Sequence, residues 1–145
     1  MNLSKFAENL NDLMFERNMN QKQLAEKLKI THSSVTRYLK GTREPTVTAA
    51  VKLADFFDVS LEFLLAFDTD SHGHGFGKSK PLGEQIKKLV ESNGLTGYEF
   101  CKKCKIANPN YYYWVNGTHE PSVDNLKKIA DYFNLTMDCV LGREK

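Results

Sequence analysis

A chain of 145 residues that is 41% hydrophobic has enough apolar material to bury a core, while a formal net charge of +2 is too small to bind polyanions by bulk charge. Any contact with nucleic acid must therefore come from local placement of Lys and Arg. The opening MNLSKFAENL lacks the apolar run of a signal peptide, nothing approaches about 18 consecutive apolar residues, and three cysteines do not make a paired disulfide framework, so a soluble, cytoplasmic, helical chain is expected.

The spacing of Phe6, Leu10, Leu13 and Met14 predicts a first helix beginning at Ser4 and ending at Asn18 to Asn20. In NQKQLAEKLKI, Asn20 and Gln23 form a capping-box pair, Leu24 and Leu28 make an apolar stripe, and Ala25 allows close helix crossing. The stretch THSSVTRYLKGTREP, Thr31 to Pro45, reads as a helix and its closing turn. Thr31 is a good N-cap, Gly41 suits a left-handed helix end, and Pro45 stops the old helix from resuming. Val35 and Leu39 share one face and are expected to point inward, which leaves His32, Ser33, Thr36 and Arg37 outward. Thr46 caps a fourth helix carrying Ala50, Leu53, Ala54 and Phe57, and Ser60 caps a short fifth with Leu61, Leu64 and Leu65.

Residues 68–80, DTDSHGHGFGKSK, are rich in Gly and Ser and predict a flexible linker spanning about 20 Å. Beyond it the whole pattern repeats. A shift of 76 residues places Phe6 on Leu82, Gly41 on Gly117, Pro45 on Pro121, Ala54 on Ala130 and Leu65 on Leu141, and turns GTREP into GTHEP. A repeat at one fixed period means a second domain of the same fold. The expected organisation is a first domain over 1–67, a linker over 68–80 and a second, divergent domain over 81–145.

Gln21, Leu24-Ala25, Ile30-Thr31, Val35, Tyr38, Leu39, Gly41, Pro45 and Leu53-Ala54 resemble the lambda-repressor-like (Cro/cI, or XRE) helix-turn-helix family, over Leu3 to Phe67. The resemblance implies an all-α chain of two five-helix domains in tandem. It implies a sequence-specific DNA-binding transcriptional regulator, a repressor by the usual mode, located in the cytoplasm at the nucleoid. One departure is Lys29, where the family often has Gly in the turn between the two helices. A left-handed Lys there costs roughly 1 kcal/mol relative to Gly.

Carried over position by position, the expected DNA contacts are Gln21, Thr31, His32, Ser33, Thr36, Arg37, Lys40 and Arg43. The major groove of B-DNA admits one helix, and Arg37 suits bidentate bonding to guanine. Gln21 begins the preceding helix, where amides and dipole favour a phosphate. Lys40 and Arg43 flank the far end of the helix and suit phosphate contact.

The second copy differs at these positions. Its candidate recognition helix reads ANPNYYYWVNG: Thr31 becomes Ala107, His32 Asn108, Ser33 Pro109 and Arg37 Tyr113, while Gln21 becomes Gly97. Four successive aromatics cannot share one buried face, since helical neighbours point about 100° apart. Tyr111 is expected in the core, with Tyr112 and Tyr113 outside beside Asn108 and Asn110. Such a surface fits a protein partner or a second copy of the chain, or DNA sugar, phosphate and thymine methyl, or plain exposed surface. The rival functions are an antitoxin-like regulator and an adaptor whose second domain binds a partner protein.

Cys101-x-x-Cys104 replaces Ala25 and Leu28 of the first copy. Zinc needs about four ligands; there is no second such pair, and His72 and His74 lie in the linker. Small buried cysteines are expected, with no metal, cofactor or catalytic set. Ser33 and His32 are adjacent on a helix and point apart, so the chain is not read as an enzyme.

Overall fold

The computed structural model describes residues 1–68 and 75–143. The chain divides into two compact units, Met1–Phe76 and Gly77–Lys145. Among the described residues every regular element is helical. The first unit holds α1 (Leu3–Glu16), α2 (Gln21–Leu28), α3 (His32–Lys40), α4 (Val47–Phe57) and α5 (Leu61–Leu64). The second holds α6 (Leu82–Ser92), α7 (Gly97–Cys104), α8 (Asn108–Val115), α9 (Val123–Tyr132) and α10 (Met137–Val140).

The caps explain most helix starts. Side-chain oxygens of Asn20, Thr31, Thr46 and Ser60 accept from amides three residues on, as do those of Thr96, Ser122 and Thr136 in the second unit. Asn20 with Gln23 and Thr96 with Glu99 both close complete capping boxes. The first helix departs from expectation: it begins at Leu3, because Asn2 lies in the extended region and its Oδ1 accepts from Lys5 N at 3.0 Å. Ser4 is already inside the first turn.

The repeat is reproduced in the backbone. Left-handed residues occur at Asn18 and Gly94, Lys29 and Lys105, Gly41 and Gly117, Asp58 and Asn134, Ala66 and Gly142, each pair 76 apart. Lys29 has φ +56°, so the turn that often takes Gly is made here by a strained Lys.

The core of the first unit gathers Phe6, Leu10, Leu24, Val35, Leu53, Leu61 and Leu64, all fully buried. From α3 the second inward residue is Tyr38, not Leu39: Tyr38 is buried edge-on against Phe6, with ring centroids 5.9 Å apart, and Leu39 is only half-buried. The second unit fills the matching places with Ile86, Phe100, Tyr111, Trp114, Ile129, Met137 and Val140.

The segment read as a flexible linker is tied down at its flanks. Asp68 N donates to Glu62 O, and the Asp58 carboxylate accepts from Gly75 N and Phe76 N at 2.9–3.2 Å. Asp58 is the left-handed residue closing α4, and its carboxylate meets two consecutive amides of the returning chain. Gly77 N and Lys80 N donate to Arg143 O and Leu141 O of the second unit. The division between units thus falls at 76/77, within the stretch assigned to a linker. The remaining linker positions, 69–74, with His72 and His74, lie outside the described residues.

The second unit contains an ion pair that the sequence reading did not anticipate. Arg143 and Asp138 are both buried, and the guanidinium Nη1 donates to Asp138 Oδ1. Arg143 N also donates to Asp138 O at 2.8 Å. These positions correspond to Phe67 and Glu62 of the first copy. A charge at a repeat position that elsewhere holds Phe was the available signal.

Candidate nucleic-acid interface

Helices α2 and α3 form the first candidate surface. The capping box of Asn20 and Gln23 fixes the start of α2, and its end turns through Lys29 so that Ile30 N still donates to Ala25 O at 3.1 Å. Thr31 then starts α3. Gly41 ends α3 with φ +70°, and Thr42 returns both its amide and its hydroxyl to Arg37 O.

His32, Ser33, Arg37 and Lys40 all carry exposed side chains on α3. Of the other expected contacts, Thr31 and Thr36 hydrogen-bond within the scaffold, while Gln21 and Arg43 are each held by a side chain of α3. The Thr31 hydroxyl accepts from Ser34 N and donates to Ser34 Oγ at 2.9 Å, so it serves as a cap. Thr36 Oγ1 lies 2.6 Å from Gln21 Oε1 and 3.0 Å from His32 O. That contact occupies the Gln21 carbonyl and leaves its amide N–H groups as donors at the start of α2. Arg43 does not extend from the far end of α3. It folds back along the helix, and Nη1 donates to Ser34 Oγ at 3.1 Å. Ser34 and Tyr38, which sequence reasoning did not select, thus touch the site. Their only signal was a hydroxyl one and two turns after the cap. The Tyr38 hydroxyl is pushed above its ordinary range by burial, partly opposed by nearby Arg43 and by a hydrogen bond with Ser34.

The matching surface of the second unit is built differently. Ala107 precedes α8 without a side-chain cap, and Pro109 stands in the first turn. Tyr111 is buried against Phe100, ring centroids 5.7 Å apart, and covers Gly97 so closely that a Cβ there would lie 2.4 Å from its ring. The change from Gln21 to Gly97 therefore goes with the larger core residue at the Val35 position, and is not independent loss of a contact. Tyr112 and Tyr113 point outward at 55% and 41% exposure, as the helical spacing predicts. Tyr113 meets His119 edge-on at 5.0 Å. Tyr98, 58% exposed at the Lys22 position, is a third outward tyrosine that the sequence reading passed over. Asn110 is half-buried. The Asn108 side chain lies outside the described features.

Cys101 and Cys104 are buried in α7. Burial raises both thiols, Cys104 to about 11, with Cys101 beside it adding to the rise. Thiols held protonated are poor ligands and nucleophiles. Among the described residues no three His, Cys, Asp or Glu side chains gather as a metal site. Raised folded-state values mean that the protonated thiols are favoured by folding. For Cys104 that contribution is complete below about pH 9 and is lost as pH rises through about 11. Alkylation of the native chain by iodoacetamide at pH 8 should therefore leave Cys101 and Cys104 unmodified, with modification following unfolding in guanidinium. Rapid labelling of either cysteine in the native chain would contradict the burial.

No described helix is long and apolar enough to cross a membrane. A helix-turn-helix family model matches the chain twice, over residues 13–64 and 86–138. The uncharacterised HTH-type transcriptional regulator YqaE of Bacillus subtilis (strain 168) is 37% identical over 85 residues, covering 59% of this chain and 66% of that protein. The HTH-type transcriptional regulator ImmR of the same organism is 28% identical over 44% of this chain and 50% of its own. The cryptic phage CTXphi transcriptional repressor RstR of Vibrio cholerae is 31% identical over 59% of this chain and 75% of its own. No solved structure matches significantly. The two family matches fall on the two five-helix units and their repeated turns, and on that ground the chain belongs to the Cro/cI-like (XRE) helix-turn-helix family, with two copies of its domain in tandem.

Proposed function

We propose that this protein is a sequence-specific DNA-binding transcriptional regulator, acting as a repressor in the cytoplasm at the nucleoid. The first unit lays α3 in the major groove of its operator and blocks polymerase by occupancy. The carrying observation is the exposed ridge of Ser33, Arg37 and Lys40 on a helix whose opposite side, Val35 and Tyr38, is locked into the core. A rigid helix presenting hydrogen-bonding side chains is what groove readout requires. The repressor and regulator names of the relatives agree with this proposal.

Arg37 and His32 are assigned to base edges with Ser33, and Lys40, Arg43 and Gln21 to phosphates, while Thr31 and Thr36 hold the scaffold. Selection of bound duplexes from a random library should return a defined sequence. Arg37→Ala should then weaken that binding by about 1–3 kcal/mol and relax one base position. An unchanged preference in the mutant would remove Arg37 from the readout.

The second unit is assigned to association, with a second copy of the chain or with another protein. The observation favouring this is the set of outward tyrosines on α7 and α8, Tyr98, Tyr112 and Tyr113, where the first unit has Lys22, Thr36 and Arg37. Tyr is enriched at protein interfaces. Tyr112→Ser with Tyr113→Ser in the full chain should lower its mass in sedimentation or abolish co-purification of the partner, leaving the selected DNA sequence unchanged. A loss of DNA specificity in that variant would instead assign the tyrosines to DNA and refute the division of labour.

A further inference from the structure

We infer that Ser34 and Tyr38 are positioning residues that fix Arg43 on one flank of the recognition helix, opposite Gln21, so that a phosphate donor stands ready at each edge of the groove. The inference rests on the DNA-binding function proposed above and adds residues that the family match does not specify.

The hydroxyl accounting supports it. Ser34 Oγ accepts from Thr31 Oγ1 at 2.9 Å and from Arg43 Nη1 at 3.1 Å. With both acceptor sites filled, Ser34 keeps its own proton to donate, and the Tyr38 hydroxyl, four residues on along the same side of α3, is the group placed to accept it. Tyr38 is itself immobilised, its ring buried against Phe6. A chain from the core thus runs Phe6, Tyr38, Ser34, Arg43, and it ends on an exposed guanidinium. Arginine loses much side-chain entropy when held. Holding it before DNA arrives removes part of that loss from binding.

The placement has a purpose on the helix. Ser34 and Thr36 are two residues, about 200°, apart around α3. Thr36 holds Gln21 on one flank and Ser34 holds Arg43 on the other. The exposed Ser33, Arg37 and Lys40 fall between them. A helix inserted in a major groove has a phosphate strand on either side, which is where these two donors are kept.

The second unit supplies the internal comparison. Thr31, Ser34, Tyr38 and Arg43 become Ala107, Asn110, Trp114 and His119, so every member of the network is replaced together. Trp114 is buried without a hydroxyl to offer, and His119 packs against Tyr113. The fold forms without this network, so its presence in the first unit points to something other than stability.

The test uses the full chain with Tyr38→Phe, Ser34→Ala, Arg43→Gln and the Tyr38→Phe/Arg43→Gln pair. Without DNA, nitrogen relaxation at Arg43 Nε should report an ordered side chain in the parent, and a mobile one in Tyr38→Phe and Ser34→Ala. With a duplex selected from the random library, Arg43→Gln should reduce the slope of log affinity against log salt by about 1. Tyr38→Phe should reproduce part of that loss at unchanged melting temperature, and should add nothing in the Arg43→Gln background. A mobile Arg43 in the parent, or an Arg43 equally ordered in all variants, overturns the positioning role. A slope lowered by Arg43→Gln but untouched by Tyr38→Phe overturns it as well. A parent that binds no selected duplex refutes the DNA-binding function instead, and the relaxation measurement still decides whether Ser34 and Tyr38 hold Arg43.

Discussion

Arg143→Ala should destabilise the second unit by about 3–5 kcal/mol, the penalty for leaving one partner of a buried ion pair without the other. Asp138 is 1% exposed, and in this variant its carboxylate would lose the guanidinium that faces it. Native-state hydrogen exchange on the full chain is the appropriate measurement, because it resolves the units separately. Amides of α9 and α10 should lose protection while those of α1 to α5 keep theirs. The pair need not be a net stabiliser. Replacing both members, Asp138→Leu with Arg143→Met, should recover most of the loss, since buried pairs often do no better than apolar residues of similar volume. Unaltered protection in Arg143→Ala would show that the carboxylate finds water or another donor at little cost. The effect should extend to the segment before α6, because Arg143 O accepts from Gly77 N at 2.7 Å and depends on the C-terminal turn holding its place.

Gly97→Ala should cost the second unit about 1–3 kcal/mol through overpacking. The new methyl would lie 2.4 and 2.5 Å from two ring carbons of Tyr111, well inside contact distance. The ring is itself enclosed, with Phe100 against it, so it cannot swing away freely. Tyr111→Val should rescue the variant, because the first unit carries Gln21 and Val35 at the same two positions without conflict. Two singles that each destabilise, and a double closer to the parent, are the expected cycle by chemical denaturation. If the double is no better than the sum of the singles, the glycine is there for another reason. Gly83→Ala should be worse. Its Cβ would meet the carbonyl oxygens of Trp114 and Val115 at 2.5 and 2.9 Å, and a helix backbone has less room to yield than a side chain.

Local physics was legible in the sequence. Asn20, Thr31, Thr46 and Ser60 act on amides three residues away, so their caps follow from residue type and spacing alone. The period of 76 followed from matching patterns, and it carried the five-helix architecture into the second copy, left-handed turns included. Helical geometry was enough to send Tyr112 and Tyr113 outward, and to leave His32, Ser33 and Arg37 exposed, whereas Thr36, expected outward with them, is half-buried.

What only the tertiary structure decided involves residues distant in the chain or competing for one place. Tyr38 displaced Leu39 as an inward anchor because Phe6, from another helix, offers it a ring edge. Arg43 turned back to Ser34, and Thr36 engaged Gln21 fifteen residues away, because a turn and a helix crossing brought those groups within hydrogen-bond reach. Gly97 looked like a lost contact until Tyr111 was seen to occupy the space of its missing side chain. The pairing of Arg143 with Asp138, and the burial of both, depend on how the last turn closes. Composition and periodicity describe what each residue prefers within about one turn of itself; which preferences are met together is settled by packing, where volume and hydrogen bonds must be satisfied at once.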